Sequence, residues 1–316
     1  MSAATSGRIL RARGHILPLG RRTYVMAIVN LTGDSFSGDG VGDDIGRAVR
    51  RAVAATAEGA DIVDIGAESA RADVPVRHEA QEADVLARAV ARVIAETGAI
   101  VSADTYKPSV ADAAVRAGAS IINDIGGFKL GTGTAEVAAR YGAALVLNYT
   151  YERPKVRPAS PPQYGDLIGE HLRVLEDAAR TAEAAGVVRE SLIVDPGIAF
   201  GKSHDEDLEV LRRLGEFRAL GLPVLVAASR KHFIGSVTGL PPDQRDEATA
   251  AVTALAIARG ADIVRVHDVR ANVRAARIAD AIVRARPGDY AATPESWPWS
   301  AAATPLPGTT LDGDGA

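Results

Sequence analysis

Polar side chains follow the ends of eight short apolar runs in this chain. In chain order they are Asn30, Asp64, Asp104, Asn123, Asn148, Asp195, Ser229 with Arg230 and Lys231, and Arg265 with His267. Any one of them could cap a strand or pair with the next helix, but that explanation does not account for the recurrence at successive ends. Carboxylates and amides suit the edge of a nitrogen-rich heterocycle, whereas Arg71, Arg265 and His267 could hold a phosphate or carboxylate.

The apolar runs and the segments between them indicate how these side chains are positioned. The runs are Val25–Asn30, Asp61–Gly66, Ala99–Asp104, Ser120–Ile125, Ala143–Tyr149, Ser191–Pro196, Val224–Ser229 and Asp262–His267. Most are apolar throughout, as in strands covered on both faces, and the Ala-rich segments between them show helical spacing. Eight such units predict an α/β fold, a single parallel (β/α)8 TIM barrel, whose active site lies at the carboxyl ends of the strands.

Three regions are expected along the chain. Residues 1–24 form an N-terminal arm in which Arg8 to Thr23 make a short hairpin at the barrel bottom, and residues 25–287 form the barrel. Residues 288–316 are rich in Pro, Gly, Thr and Ala with little periodicity, so a flexible, disordered C-terminal tail is expected there.

Composition excludes several classes of partner. The 316 residues are 47% hydrophobic and 24% charged, with a formal net charge of -4, which is typical of a globular protein with a sizeable core. Aromatic residues make up only 4%, and no basic block is long enough to attract a nucleic acid or an anionic membrane. The chain has no cysteine and no apolar run of membrane-spanning length. A soluble cytoplasmic protein is expected.

Seven motifs at successive strand ends carry a specific resemblance. They are NLTGDSFSGDG at 30–40, DIGAESAR at 64–71, SADTYKP at 102–108, INDIGG at 122–127, DPGIAFGK at 195–202, SRKHFIG at 229–235 and RVHDV at 265–269. In this order they resemble the motifs of the dihydropteroate synthase family, over residues 25–286. The wider pterin-binding family, which includes methyltetrahydrofolate:corrinoid methyltransferases, shares the Asp-Asn-Asp part, whereas the SRK and RVHD elements favour the synthase branch.

The resemblance implies a reaction and a pterin pocket. The reaction is the condensation of 6-hydroxymethyl-7,8-dihydropterin diphosphate with 4-aminobenzoate, which gives dihydropteroate and diphosphate in folate biosynthesis. By position, Asp104, Asn123, Asp195 and Lys231 would hydrogen-bond the pterin ring, and Phe200 would pack beside it. A buried carboxylate such as Asp195 can accept two hydrogen bonds from the guanidine-like edge of the ring.

The same resemblance implies the remaining half of the site. Asn30 would help to bind Mg2+, Arg265 with His267 would hold the leaving diphosphate, and Ser69 with Arg71 would line the diphosphate and aminobenzoate region. Further implied roles are stabilisation of the cationic methyl centre by Asp34, packing on the benzoate ring by Phe36 and reception of its carboxylate by Ser229. The residues assigned to catalysis are Asp34, Lys231, Arg265 and His267.

Departures from the family pattern leave alternatives open. They are Gly33 for Pro, Ala70 and Asp73 in the loop after the second apolar run, Asn148 for Met and Ala227 for Gly. Residues 149–158 also depart from the pattern, and with Arg153, Lys155 and Arg157 they form either a solvated loop or a basic lip. One alternative is a divergent paralogue that keeps the pterin pocket but uses a different amine or has lost synthase activity. Another is a non-enzymatic barrel that binds pterin. A homodimer through residues 249–259 and 273–284 is expected.

Overall fold

A computed structural model describes residues 7–31, 44–69, 73–156 and 162–285, together with the strand pairing of residues 304–305. The chain opens with a hairpin of strands β1 (Ile9–Ala12) and β2 (His15–Pro18). The expected hairpin is therefore present. Of the expected tail, residues 288–303 and 306–316 lie outside the described residues, and Thr304–Pro305 pairs antiparallel with β2.

Eight parallel strands follow and form the predicted barrel. They are β3 (Tyr24–Asn30), β4 (Ile62–Gly66), β5 (Ile100–Asp104), β6 (Ile121–Asp124), β7 (Ala144–Asn148), β8 (Leu192–Asp195), β9 (Leu225–Val226) and β10 (Ile263–Val266). Their spatial order is β8-β7-β6-β5-β4-β3-β10-β9, and a parallel bridge between Val194 and Val224 joins the two ends of the sheet. The prediction of a single (β/α)8 barrel is confirmed.

A helix follows each strand along the outside of the barrel. The helices are α1 (Ile45–Ala57), α2 (Glu79–Thr97), α3 (Pro108–Arg116), α4 (Gly133–Tyr141), α5 (Leu167–Ala184), α6 (His204–Arg212), α7 (His232–Thr238), α8 (Asp246–Ala258) and α9 (Val269–Val283). Helices α2 and α4 end at glycines in the left-handed conformation, Gly98 and Gly142. Within the described residues, no helix is both long and apolar enough to cross a membrane.

Alternation along the strands divides the core into two parts. One set of strand residues packs outward against the helices, and the other set points into the barrel. The inward set at the amino ends is apolar and includes Met26, Ile62 and Ile121, and Leu10 and Leu17 of the hairpin are buried against it. The hairpin thus closes the bottom of the barrel, as the sequence predicts.

Strand β9 is shorter than the predicted run of Val224 to Ser229. After Val226 the chain leaves the ladder and turns: the amide of Lys231 donates to the carbonyl of Ala228 at 3.3 Å, and Arg230 adopts a positive φ of 58°. Arg230 is held in this turn by two hydrogen bonds to Asp246, of 2.6 and 2.7 Å. The turn sets the direction of Ser229 and Lys231.

Candidate functional site

The polar residues of the strand ends lie on the inward face of the barrel, above the apolar layers. Since side chains alternate along a strand, Asp64 stands two residues after inward-facing Ile62, and Arg265 two residues after Ile263. The same spacing brings to the mouth Asp104, Asn123, Asn148 and Asp195. Gly66 occupies one of these positions because a Cβ there would lie 3.3 Å from the Cβ of Asp104.

Arg265 is held between two carboxylates from β4 and β5. Its Nε donates to Asp64 Oδ2 at 2.6 Å, and its Nη2 donates to Asp104 Oδ2 at 2.7 Å. Asn123 Nδ2 donates to the same Asp64 oxygen at 3.2 Å. Asp64 is fully buried, and its second oxygen, Oδ1, has no hydrogen-bond partner within the described part of the chain.

Electrostatics in this cluster keep the guanidinium charged. Burial acts to lower the pKa of Arg265, but Asp64 and Asp104 outweigh it, so the pKa is raised. Burial raises the pKa of Asp104 well above its ordinary value, and the charge of Arg265 opposes that rise. Two carboxylates therefore share one cation, whose orientation is set before any ligand arrives.

Asp195 and Lys231 form a second cluster across the mouth. The Asp195 Oδ1 accepts from the amide of Gly197 at 2.7 Å, and Lys231 donates to the carbonyl of Ile198 while its Nζ lies 4.9 Å from the centre of the Phe200 ring. Burial raises the pKa of Asp195, whereas burial lowers the pKa of Lys231 to about 8. Lys231 also interacts electrostatically with Asp104 and Arg265, so the two clusters belong to one site.

The loop after β8 that carries Phe200 has its own support. Lys202 Nζ donates to the carbonyls of Pro196 and Phe200, at 3.3 and 3.4 Å, and lies 4.7 Å from the centre of the Tyr149 ring. Burial lowers the pKa of Lys202 to about 7. Gly197 has φ +66° and passes so close to the Tyr149 carbonyl that a side chain there would collide with it.

The ends of β7, β9 and β10 complete the mouth. Ser229 Oγ lies 2.8 Å from His267 Nδ1 and accepts from the His267 amide at 3.2 Å. Asn148 pairs in register with Asp195, and its Nδ2 donates to the carbonyl of Ile125 at 3.1 Å. The amide at 148 thus lies beside the Asp195 cluster and links the ends of β6 and β7.

Asn30 and Ser69 lie on the side of β3 and β4. Asn30 ends β3 and pairs in register with Gly66, and Ser69 is largely buried in the loop after β4. Three further predicted site residues, Asp34, Phe36 and Arg71, lie outside the described residues. In the part of the chain that is described, no group of three or more His, Cys, Asp or Glu side chains is arranged to hold a metal ion.

Two residues of this site, Asp64 and Lys202, have roles that their positions in the sequence do not reveal. Asp64 was recognisable as a polar strand end, but only the structure shows that it accepts hydrogen bonds from both Arg265 and Asn123. Lys202 belongs to the DPGIAFGK motif, and the signal that could have found it is a lysine within a glycine-bounded turn, where carbonyls need a donor.

The fold and the site together define a TIM-barrel enzyme that binds a polar heterocycle in a mouth lined by paired acids and cations. The sequence profile of the family described as "Pterin binding enzyme" matches residues 26–267. The dihydropteroate synthase of Bacillus subtilis is 41% identical over 276 residues, which cover 87% of this chain and 94% of that protein.

Solved structures of dihydropteroate synthases have the same fold as this chain. The Yersinia pestis dihydropteroate synthase, determined with a sulfonamide drug, has a TM-score of 0.82 and 35% identity and covers 87% of this chain and 98% of its own. The Xanthomonas albilineans dihydropteroate synthase with 4-aminobenzoic acid has a TM-score of 0.79 and 34% identity, covering 89% and 100%. The Xanthomonas albilineans enzyme with 7,8-dihydropteroate has a TM-score of 0.76 and 35% identity, covering 88% and 100%. The chain belongs to the dihydropteroate synthase family of pterin-binding enzymes.

Proposed function

We propose that this chain condenses 6-hydroxymethyl-7,8-dihydropterin diphosphate with 4-aminobenzoate to give dihydropteroate and diphosphate. The observation that carries the proposal is the inward-facing set of Asp104, Asn123, Asp195 and Lys231 around a guanidinium, Arg265, that two carboxylates hold in place. In the reaction the amine nitrogen forms a bond to the pterin methylene carbon, the carbon–oxygen bond to diphosphate breaks, and the nitrogen releases a proton to solvent.

The pterin half of the site reads the ring edge. Asp195 accepts two hydrogen bonds from the guanidine-like edge, and Asn123 and Asp104 contact other ring atoms. Lys231 donates to a ring acceptor, and Phe200, over which its ammonium lies at 4.9 Å, packs beside the ring. Preorganised polar groups in a buried mouth fix one ring orientation, which sets the methylene carbon toward the amine.

The diphosphate half of the site stabilises the charge that develops as the carbon–oxygen bond breaks. Arg265 and His267 hold the leaving diphosphate, and Ser69 and Arg71 line the region between the diphosphate and the aminobenzoate. The two carboxylates behind Arg265 prevent it from being displaced when the anion binds, since each of them bonds a different nitrogen of the guanidinium.

The aminobenzoate lies toward the open side. Ser229, which is fixed by His267 at 2.8 Å, receives its carboxylate, Phe36 packs on its ring, and Asp34 stabilises the cationic methylene centre. Asp34, Lys231, Arg265 and His267 are therefore the residues to which we assign catalysis.

Mg2+ is the proposed metal, bound together with the diphosphate. The amide oxygen of Asn30 is a hard donor at the mouth, and Mg2+ commonly takes one or two protein ligands and completes its shell with water and substrate phosphate. When bound, Mg2+ neutralises charge on the leaving group.

The outer face of α8 and α9 supports a homodimer. Leu255 on α8 and Ile278 and Ile282 on α9 are 57%, 66% and 77% exposed, although all three are large and apolar. These side chains lie within the segments 249–259 and 273–284 that the sequence favours for self-association, and a second copy would remove them from water.

Three further proposals rest on sequence. Residues 1–24, 25–287 and 288–316 are proposed as arm, catalytic barrel and tail. A cytoplasmic location is proposed because a chain without cysteine fits a reducing compartment. The formal net charge of -4 disfavours nucleic-acid and membrane partners. No observation on the described residues favours a different amine substrate or a loss of catalysis.

The test is an incubation with the dihydropterin diphosphate, Mg2+ and 4-aminobenzoate, in which diphosphate and dihydropteroate are quantified by mass spectrometry. Product from the wild-type chain and a loss of at least about a hundredfold on Asp195→Ala are expected, since a charged hydrogen-bond acceptor and its ring orientation are removed together. The control is Arg213→Ala, which removes an exposed ion pair with Glu216 just after the carboxyl end of α6. Tight binding of the diphosphate substrate without product would contradict the proposal.

A further inference from the structure

The loop after β4, residues 67–77, is called here the second loop, and a single lysine joins the two ends of its base. Lys107 Nζ donates to Glu68 Oε2 at 2.6 Å and to the carbonyl of Arg77 at 2.9 Å. Glu68 Oε2 also accepts from the amide of Arg77 at 2.7 Å, and Glu82 Oε2 accepts from Lys107 at 2.6 Å. These groups are largely buried, so the base of the second loop is fixed where it leaves the barrel.

The loop after β7 crosses from one side of the mouth to the other. Its residues 149–156 pass the β8 loop, where Tyr151 lies so close to Gly201 that only glycine fits, and then the β6 loop, where Pro154 Cγ lies 3.4 Å from the Cβ position of Gly126. Gly201 thus allows the β8 loop to approach this segment closely, and Pro154 packs against the β6 loop beside Gly126. The crossing ends at the second loop.

Lys155 makes the contact at that end. Its Nζ donates to the carbonyl of Val74 at 2.9 Å and lies 3.5 Å from the carbonyl of Pro75. Lys155 also has a positive φ of 63°, which is uncommon for a residue with a side chain. Burial lowers its pKa, and the carboxylates of Glu68, Glu82 and Asp73 act to raise it.

The geometry points to Lys155 as a positioning residue for the second loop, and hence for the aminobenzoate half of the site. Lys107 fixes the base of that loop at Arg77, and Lys155 holds its returning limb further along, at the carbonyl of Val74. The contact to the Val74 carbonyl holds the backbone of the returning limb, and Arg77 of that limb donates to Glu68 and to the carbonyl of Ala67, next to Ser69. The inference rests on the proposed function, in which Ser69 lines that half. Lys155 is therefore engaged as a tie between loops, which differs from both a solvated loop and a basic lip.

The two halves of the site should respond differently to loss of this tie. The contacts of Lys155 run to the second loop, whereas Asp195, Lys231 and Phe200 are fixed by the β8 loop and its own hydrogen bonds. Substitution of Lys155 should accordingly weaken the use of 4-aminobenzoate and leave the binding of the pterin diphosphate unchanged. A general loss of folding would weaken both.

The experiment compares Lys155→Met, Lys155→Arg and the control Lys129→Met, which removes an exposed lysine from the neighbouring β6 loop. For Lys155→Met we expect KM for 4-aminobenzoate to rise about five- to tenfold, as for the loss of one partly exposed hydrogen bond, with Kd for the pterin diphosphate in Mg2+ within twofold of wild type. Lys155→Arg should restore KM to within about threefold, because its donors can also reach a carbonyl. Lys129→Met should match the wild-type chain.

Hydrogen exchange of the amides at 73–78 supplies a readout that does not depend on turnover, and it should accelerate in Lys155→Met alone. An unchanged KM, an equal weakening of both substrates, or an equal effect of Lys129→Met would overturn the inference while the wild-type activity stands. A wild-type chain that forms no dihydropteroate would instead overturn the proposed function and the inference with it, and the exchange data would still show whether the tie holds the loop.

Discussion

Replacement of Asp64 by asparagine should disturb the orientation of Arg265, and hence the activity, with little effect on the stability of the barrel. Asp64 Oδ2 accepts from Arg265 Nε at 2.6 Å, and the residue is fully buried at the end of β4. Asparagine keeps the shape and one acceptor oxygen but removes the charge. Arg265 then keeps its bond to Asp104 at 2.7 Å and loses the charged acceptor at position 64.

The expected size of the effect follows from that contact. A hydrogen bond between charged groups contributes about 1.5–3 kcal/mol, and because Asp104 still holds the guanidinium we take about 2 kcal/mol. At about 1.4 kcal/mol per factor of ten, kcat/KM for the pterin diphosphate should fall about thirtyfold.

Stability should respond much less than activity. Two carboxylates share one guanidinium in the wild-type cluster, and one Asp64 oxygen has no partner there among the described residues. The asparagine variant leaves a one-to-one pair of Asp104 and Arg265 and relieves the burial of a surplus charge, so the free energy of unfolding should change by less than about 1 kcal/mol.

A double-mutant cycle is the assay. Steady-state kinetics and urea unfolding are measured for Asp64→Asn, Arg265→Gln and the double variant. If Asp64 acts through Arg265, its substitution should cost less than about threefold in the Arg265→Gln background. A full thirtyfold cost in that background, or an unfolding free energy lowered by more than about 3 kcal/mol, would refute this reasoning.

Three further outcomes are expected. Burial lowers the pKa of Lys231 to about 8, so its cationic form is lost as pH rises through that value, and kcat/KM should fall tenfold per pH unit above it. Lys231→Arg should move this alkaline limb of the pH profile above the measured pH range. A limb that does not move would belong to another group. Asn30→Ala should raise the Mg2+ concentration for half-maximal activity about tenfold, as for one lost oxygen ligand, whereas an unchanged titration would exclude Asn30 as a ligand. Leu255→Glu should convert a dimer to monomers in sedimentation velocity, since it places a charge in the proposed apolar interface; a wild-type monomer would contradict the interface itself.

Much of the barrel could be predicted because the signals are local. Runs of β-branched residues alternate with helical spacing, and the glycines at 98 and 142 end helices where a left-handed residue is needed. The length of β9 could not be predicted in this way. The apolar run continues beyond Val226 in sequence, but the strand pairing ends there. The chain then turns, and two hydrogen bonds between Arg230 and Asp246 hold the turn.

The candidate site divides along the same line. Asp104, Asn123, Asp195 and Arg265 were recognisable because each is the last or next-to-last residue of a strand, and the alternation of a strand fixes which end residues face inward. The functional weight of Lys155 was not recognisable, because its partner is the backbone of a loop 81 residues away in sequence.

The sequence by itself therefore determined the eight units and the polar, inward-facing character of their carboxyl ends, since both depend on short-range periodicity. Only the tertiary structure decided which charges pair. Arg265 lies 201 residues from Asp64 and 161 from Asp104 in sequence. Barrel closure nevertheless brings its guanidinium into hydrogen bonds of 2.6 Å with Asp64 and 2.7 Å with Asp104. The register and closure of the strands set such distances, and no local pattern of residues encodes them.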